Sequence, residues 1–217
     1  MSTGRISPTA HYTGYPWFQN GLSHPALATS QGRLLYRGAR PANALARRLG
    51  LPTLEGFLLA RHHSIDTQLA AAIASGAVSQ VIEIAAGLSP RGWDFARRYG
   101  DRITYIEADL PAMAAHKSRL LAHAGLATAQ HRLVDLDALA DSGPRSLARL
   151  ADTLDPTRGV AIVTEGLINY FPTDAVIGMW QRFATSLKRF PSGLYLSDLH
   201  TAGDNQGMGG VAFMSLL

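Results

Sequence analysis

The chain of 217 residues contains no cysteine, which excludes disulfide bonds, thiolate nucleophiles and cysteine-based zinc sites. Apolar runs are short, and none approaches the roughly 18 residues expected of a membrane-spanning helix. The N-terminal sequence MSTGRISPTAHYTGY lacks the continuous apolar stretch of a secretory signal. His62 and His63 are adjacent and point in different directions, so they make a poor metal pair. These features predict a cytoplasmic location, no membrane partner and no metal site.

Acidic residues are scarce in the first part of the chain. Residues 1–61 hold seven arginines, no lysine and a single acid, Glu55, whereas residues 62–217 carry a net charge of −2. Arginine favours contacts with carboxylates, phosphates or aromatic rings. The arginines are dispersed, however, and no basic run with interleaved aromatic residues stands out, so no nucleic-acid partner is predicted. A solvated basic surface is the simpler interpretation.

From residue 78 onwards, segments typical of strands alternate with segments typical of helices. Strands are predicted at 80–84, 103–107, 131–135, 159–164 and 193–199, and helices at 92–99, 111–124, 144–153 and 173–189. This alternation predicts an α/β fold with a doubly wound, mostly parallel sheet.

The N-terminal segment contains proline and glycine, and residues 1–32 are predicted to be irregular. The same segment is rich in aromatic residues, which disordered tails lack, so it is expected to pack on the domain as a lid. Its aromatic side chains either line a substrate pocket or anchor the segment. Further along, one or two short helices divided near Pro41 are predicted at 34–49, and another helix at 53–76.

The stretch QVIEIAAGLSPRG, residues 80–92, organises the rest of the chain. An apolar strand, a turn of small residues and a helix typify nucleotide-binding α/β units, in which the cofactor approaches the backbone closely. Glu83 is an acid inside this strand and therefore needs a partner, such as a charged amino-acid group or a ribose of a cofactor. An ordinary βα turn explains the pattern equally well, and the dinucleotide pattern G-x-G-x-x-G is absent.

Polar residues follow four of the predicted strands. Gly87 follows the first, Glu107 and Asp109 end the second, Asp135 ends the third, and Glu165 follows the fourth. Ligands of open parallel sheets lie at the carboxyl ends of the strands. Asp109 lies 22 residues after Gly87, a separation typical of an acid that binds ribose hydroxyls. A single acid of this kind is more often a cap or loop residue, but four in register point to a site.

Several longer motifs together resemble the leucine carboxyl methyltransferase family, which are class I S-adenosylmethionine-dependent methyltransferases. The motifs are YIEADLP followed by a helix with Lys117, the turn IAAGLSPRG, the helix segment RHHSID, VTEGLINYF, and the N-terminal SPTAHYTGY and NGLSHP. The likeness covers residues 7–200 and is strongest to bacterial O-methyltransferases of polyketide biosynthesis. It implies S-adenosylmethionine as cofactor, lid and cap helices at 1–76, and a cofactor-binding α/β domain at 77–217.

The resemblance also implies roles for individual residues. Arg61 would bind the methionine carboxylate, and Glu165 would lie beside the same amino-acid end. Asp109 would hold the ribose hydroxyls, while Asp135 and Leu136 would contact the adenine. A guanidinium group suits a carboxylate, and acids suit hydroxyls and amines, so the chemistry agrees with these roles.

The turn departs from the family pattern at two positions. Gly87 would let the loop pass the cofactor, but Ala85 and Ser89 stand where the family usually has Gly and Asp. The sequence also ends 18 residues after Leu199, so the antiparallel hairpin that closes class I sheets is expected to be absent. We therefore expect an exposed sheet edge that could support self-association, and a helix that starts within residues 211–217.

Methyl transfer requires mainly that a nucleophile lie in line with the sulfonium methyl group. A carboxylate acceptor needs no base, whereas a hydroxyl acceptor gains from one. Asp198 and His200, after the fifth predicted strand, are the best base candidates, with His11 and Tyr170 behind them. The candidate substrate pocket consists of Tyr12, Tyr15, Trp17 and Tyr170.

The sequence therefore predicts an O-methyltransferase acting on a small-molecule carboxylate or hydroxyl. An NAD(P)-dependent oxidoreductase on a similar sheet is one alternative, although the missing glycines weaken it. A truncated, non-catalytic remnant is the other.

Overall fold

The computed structural model describes residues 8–199. Its centre is a five-stranded sheet in which every pair of neighbouring strands is parallel and the order is β3-β2-β1-β4-β5. The strands are β1 (Gln80–Ile84), β2 (Thr104–Asp109), β3 (His131–Asp135), β4 (Val160–Thr164) and β5 (Gly193–Ser197).

Helices connect the strands and cover both faces of the sheet. They are α1 (Pro8–Gln19), α2 (Ser30–Arg48), α3 (Leu54–Ala74), α4 (Arg91–Tyr99), α5 (Pro111–His123), α6 (Leu147–Ala151) and α7 (Thr173–Leu187). The chain passes from β1 outward to β3 and then returns to β4, which creates a switch point between β1 and β4. The predicted doubly wound α/β fold is confirmed.

Side chains along each strand alternate between the two faces of the sheet, so they contribute to two separate hydrophobic cores. Ile82 and Ile106 pack on one face with Phe183 of α7. Val81 and Tyr105 pack on the other face with residues of α3 and α4. Strands β1 and β4 are buried at every position, as expected for central strands of a parallel sheet.

Two predictions for the N-terminal part are wrong. Residues 8–19 form a helix rather than an irregular segment, and α2 continues through Pro41 instead of dividing there. Pro41 is exposed, so water can solvate the carbonyl group that a proline leaves without its helical donor. Thr29 caps the start of α2 by accepting a hydrogen bond from the amide of Gly32.

The outer surface is consistent with the charge pattern of the sequence. Arg33, Arg37 and Arg40 all lie exposed on α2, which contains no acid. Within residues 8–199, no helix is both long and apolar enough to cross a membrane. Strand β5 pairs only with β4 in the described sheet, and self-association through it stays a prediction.

Candidate functional site

The loop between β1 and α4 lies at the carboxyl edge of the sheet. Ala85 and Gly87 both have a positive φ, of 56° and 52° respectively. The amide of Gly87 donates to Asp109 Oδ2 at 2.8 Å, and the amide of Leu110 donates to Oδ1 at 2.7 Å. Burial raises the pKa of Asp109 above its ordinary value of 3.8, although these two amides oppose the rise. Asp109 therefore joins the loop to the end of β2.

Asp135 and Leu136 lie next to Asp109. Asp135 is in register with Asp109 across the β2–β3 pair, and its side chain is exposed. Leu136 is 2% exposed, and its amide donates to the carbonyl of Asp109 at 2.9 Å. The structure thus brings together the residues predicted for ribose and adenine. Their roles as ligands stay predictions.

Arg61, on α3, lies between two carboxylates. Its Nε donates to Glu165 Oε1 at 2.9 Å, and its Nη1 donates to Asp198 Oδ2 at 2.9 Å. The amide of Gly166 also donates to Asp198, at 2.9 Å. A β-carbon built on Gly166 would lie 3.1 Å from Arg61 Nη2, so only a small residue fits against the guanidinium group. These contacts hold Arg61 in one orientation.

Arg91, which the sequence analysis missed, is the buried centre of the site. Its side chain has no exposed area and forms three ion pairs. Nε contacts Asp66 Oδ1 at 2.5 Å, Nη1 contacts Glu83 Oε1 at 2.6 Å, and Nη2 contacts Glu165 Oε2 at 2.6 Å. The guanidinium group therefore links α3, β1 and the residue that follows β4. The sequence contained one indication of this ion pair: Glu83, an acid inside an apolar strand, lies eight residues before the arginine.

Glu83, the buried acid of β1, is paired by two protein side chains. It is 1% exposed, and besides Arg91 it accepts a hydrogen bond from the hydroxyl of Tyr105 at 2.7 Å. Burial and the nearby Glu83 carboxylate raise the pKa of Tyr105 well above its ordinary value, so that hydroxyl remains a donor. Both carboxylate oxygens are therefore occupied by protein groups. The partner that Glu83 needs is thus supplied by Arg91 and Tyr105, and contact of Glu83 with a cofactor group stays a prediction.

The site carries more negative than positive charge. Burial alone would raise the pKa of Glu165, but Arg91 and a hydrogen bond from His62 hold it well below its ordinary value. Burial raises the pKa of Asp198 against the influence of Arg61. Two guanidinium groups face four carboxylates, which are Asp66, Glu83, Glu165 and Asp198. This excess suits a ligand with cationic groups.

Helix α1 packs directly on the loop. A β-carbon on Gly87 would lie 3.5 Å from Cβ of Ala10, and one on Gly14 would lie 3.2 Å from Cβ of Leu88. The ring centroid of Trp17 is 4.7 Å from that of His62. Ala10, Gly14 and Trp17 have the i, i+4, i+7 spacing of residues on one face of a helix. Trp17 is therefore the predicted pocket residue that contacts the charged site.

The other predicted pocket residues are Tyr12, Tyr15 and Tyr170, and each has different surroundings from Trp17. Tyr12 lies near Asn43 and Glu55, Tyr15 packs on Tyr36 of α2 with centroids 5.2 Å apart, and Tyr170 is 48% exposed. Their assignment to a substrate pocket stays a prediction.

Of the base candidates, His11 contacts the hydroxyl of Thr29 at 3.0 Å, and its ring centroid is 6.1 Å from that of His116. His11 thus connects α1 to the start of α2 and to α5. His200 and the predicted helix at 211–217 fall outside the described residues. Among residues 8–199, no group of three or more histidine and acidic side chains could hold a metal ion.

Comparisons with known proteins identify a family, sequence relatives and a similar fold. Residues 24–184 match the sequence profile of the family described as leucine carboxyl methyltransferase. A protein of Mycolicibacterium vanbaalenii, described as a candidate S-adenosyl-L-methionine-dependent methyltransferase, is 35% identical over 118 residues. That match covers 53% of this chain and 37% of the relative. A protein of Mycobacterium avium with the same description is 38% identical over 99 residues, covering 45% of this chain and 30% of the relative.

A crystal structure of a candidate methyltransferase from Thermobifida fusca has the same fold, with a TM-score of 0.58 and 13% identity. The alignment covers 94% of this chain and 71% of that one. The matched segment spans about a third of the length of the curated relatives. The family profile covers well over half of the chain, so the chain belongs to the leucine carboxyl methyltransferase family.

Proposed function

We propose that the chain is an S-adenosylmethionine-dependent O-methyltransferase acting on a carboxylate or hydroxyl group of a small molecule. The observation that carries the proposal is the position of Arg61 at the same sheet edge as Gly87 and Asp109. The relatives named above are described by their dependence on S-adenosyl-L-methionine. We extend the proposal to a polyketide-type acceptor on the resemblance alone, and to a cytoplasmic location on the composition of the sequence.

The described residues fit this cofactor. Gly87, with its positive φ, lets the loop turn beside Asp109, and Asp109 retains oxygen lone pairs for ribose hydroxyls. Arg61 matches the methionine carboxylate, and the surplus of carboxylates around it matches the ammonium and sulfonium charges. Asp135 and Leu136 would then contact the adenine. The cofactor supplies an electrophilic methyl group on its sulfonium.

The protein's part in such a reaction is mainly to orient the two reactants and exclude water. In-line alignment of acceptor and methyl group supplies most of the rate through proximity. No Asn-Pro-Pro-Tyr motif follows β4, where the sequence is TEGLINYF, and this favours oxygen over nitrogen acceptors. Asp198 has both oxygens engaged, by Arg61 and by Gly166. Those contacts support a positioning role, and its role as a base stays a prediction, as does that of His200.

A thermal-shift comparison tests the cofactor assignment. S-adenosylhomocysteine at about 100 times its Kd should stabilise the chain by about 2.7 kcal/mol, whereas NAD(P) at the same concentration should have no effect. Stabilisation by NAD(P) alone would favour the oxidoreductase alternative. Binding of S-adenosylhomocysteine without transfer to any acceptor would favour the non-catalytic alternative.

The acceptor class can be tested with labelled methyl groups. After incubation with a panel of small carboxylic acids and phenols, alkali should release the label from a methyl ester but leave a methyl ether intact. Transfer mainly to amines would contradict the proposal.

We also propose that residues 1–76 act as lid and cap helices on the α/β domain at 77–217. Deletion of residues 1–20 should lower turnover more than it lowers the free energy of unfolding, because α1 covers the loop at Gly87 and places Trp17 on His62. Turnover and urea denaturation of the deleted and parent chains would be compared. Unchanged turnover would show that α1 is no lid.

The affinity for S-adenosylhomocysteine should depend on pH through Asp109. Its charged form is the better acceptor for ribose hydroxyls, and burial raises its pKa above 3.8. Affinity should therefore be complete above this raised pKa and fall as the pH drops through it, so the loss begins at a higher pH than for an ordinary aspartate. Calorimetry across acidic pH checks the parent. The Asp109→Asn variant should bind more weakly and lack the step, and retention of the step would assign it to another group.

A further inference from the structure

A second buried charge cluster lies behind the loop, and the proposed cofactor contacts do not use it. Lys117 of α5 is 1% exposed and forms an ion pair with Glu107 of β2. Glu107 is 2% exposed and also contacts His131 Nε2 of β3 at 3.0 Å. Burial opposes ionisation of Glu107, but Lys117 and His131 outweigh it and lower its pKa. The cluster therefore keeps its charges in a dry interior, which is costly unless each is paired.

Lys117 has one contact that charge balance does not require. Its ammonium group also donates to the carbonyl oxygen of Ser89, in the loop, at 2.5 Å. Lys117 is thus anchored to β2 through Glu107 and reaches across to the loop backbone. Two residues before Ser89, the amide of Gly87 is held by Asp109. The loop is therefore held at the Gly87 amide by the end of β2 and at the Ser89 carbonyl by α5.

The beginning of α4 is shaped to fit the same cluster. A β-carbon built on Gly92 would overlap Glu107 Oε1 and crowd His131 Nε2. The loop itself has glycine at only one of its three small positions, since Ala85 and Ser89 occupy the other two. Its conformation is consequently imposed by neighbouring groups more than by local flexibility.

We infer that Lys117 is a positioning residue that holds the loop in its cofactor-binding conformation through the Ser89 carbonyl. This inference rests on the proposed function for its effect on affinity. The ammonium group keeps Ser89 drawn towards α5, so that the loop stays in the conformation in which Asp109 also holds the amide of Gly87. Glu107 and His131 serve to hold Lys117 in place.

Two variants separate positioning from simple stabilisation. Lys117→Met removes the contact to Ser89 and leaves the Glu107 charge without its main partner. The double variant Lys117→Met with Glu107→Gln removes that charge as well, so much of the lost free energy of unfolding should return. Lys188→Met is the matched control, because Lys188 is exposed at the end of α7. The parent and the three variants would be compared. The measurements are the free energy of unfolding, the affinity for S-adenosylhomocysteine and the rate of hydrogen exchange at residues 85–92.

We expect the affinity of both Lys117 variants to fall by about tenfold or more, because a loop that is no longer preorganised must be ordered on binding. Exchange of the amides at 85–92 should accelerate to a similar extent in both, while Lys188→Met matches the parent. Recovery of affinity together with stability in the double variant would overturn the inference. If the parent does not bind S-adenosylhomocysteine, the proposed function fails. The positioning role of Lys117 is then tested by hydrogen exchange alone. Exchange at residues 85–92 that is as slow in the double variant as in the parent would overturn that role.

Discussion

Replacement of Arg91 with methionine is expected to lower the free energy of unfolding by about 3–5 kcal/mol, the range seen when one partner of a buried ion pair is removed. The guanidinium group is fully buried and is paired with Asp66, Glu83 and Glu165 at 2.5–2.6 Å. Methionine fills similar space but leaves Glu83 and Glu165 as buried charges without their main partner. Urea denaturation of the parent and the variant measures the loss.

Arg97 provides the control on the same helix. Its side chain is 63% exposed and pairs with Asp94 at 3.1 Å, so Arg97→Met should change stability by less than about 0.5 kcal/mol. If Arg91→Met is too unstable to purify, the double variant Arg91→Met with Glu83→Gln should fold better, because one unpaired charge is gone. Equal stability of Arg91→Met and the parent would mean that this ion-pair network does not hold α3, β1 and β4 together.

Replacement of Arg61 with alanine is expected to weaken S-adenosylhomocysteine binding by about 2–4 kcal/mol, the order expected for loss of a buried, charge-assisted pair. The residue is nearly buried, and its guanidinium group is held by Glu165 and Asp198. Without it, both carboxylates would face the ligand's carboxylate and repel it. Calorimetry below the melting temperature of the variant measures the change apart from any loss of stability.

His63 is the matched control for this experiment. It lies exposed two residues away on α3, and His63→Ala should leave the affinity unchanged. An Arg61→Ala variant that binds as tightly as the parent would show that the ligand's carboxylate is not bound at Arg61. The loop and Asp109 could still form part of a nucleotide site in that case.

The sheet was predictable because its signal is local. The strands other than β3 are short, mainly apolar segments, and the loops between strands and helices contain glycine or proline near the predicted boundaries. The helix α1 was not predictable in this way. Its prolines, glycine and aromatic residues disfavour an isolated helix, and it is the packing of Ala10, Gly14 and Trp17 on the domain that favours one.

The outline of the site was also predictable, since parallel strands bring their carboxyl ends to one edge of the sheet. This geometry explains why Asp109, Asp135 and Glu165 could be grouped from sequence alone. The pairing of the buried charges could not be predicted, because it depends on distances between elements far apart in sequence. Glu83 shows the limit: its need for a partner was evident, but the identity of Arg91 as that partner was not.

Ala85 has a consequence for how relatives of this chain can be recognised. A residue with a β-carbon at φ 56° pays a conformational cost that glycine avoids, so the loop keeps its shape against its own backbone preference. The side chains of Asp109, Arg91 and Lys117 supply the restraint from elsewhere in the fold. A short glycine motif is therefore a poor criterion for recognising such loops in a sequence. A search for three features together would identify relatives that lack the glycines. The features are an acid in the first strand, an arginine after the turn and a lysine on the second helix of the α/β domain.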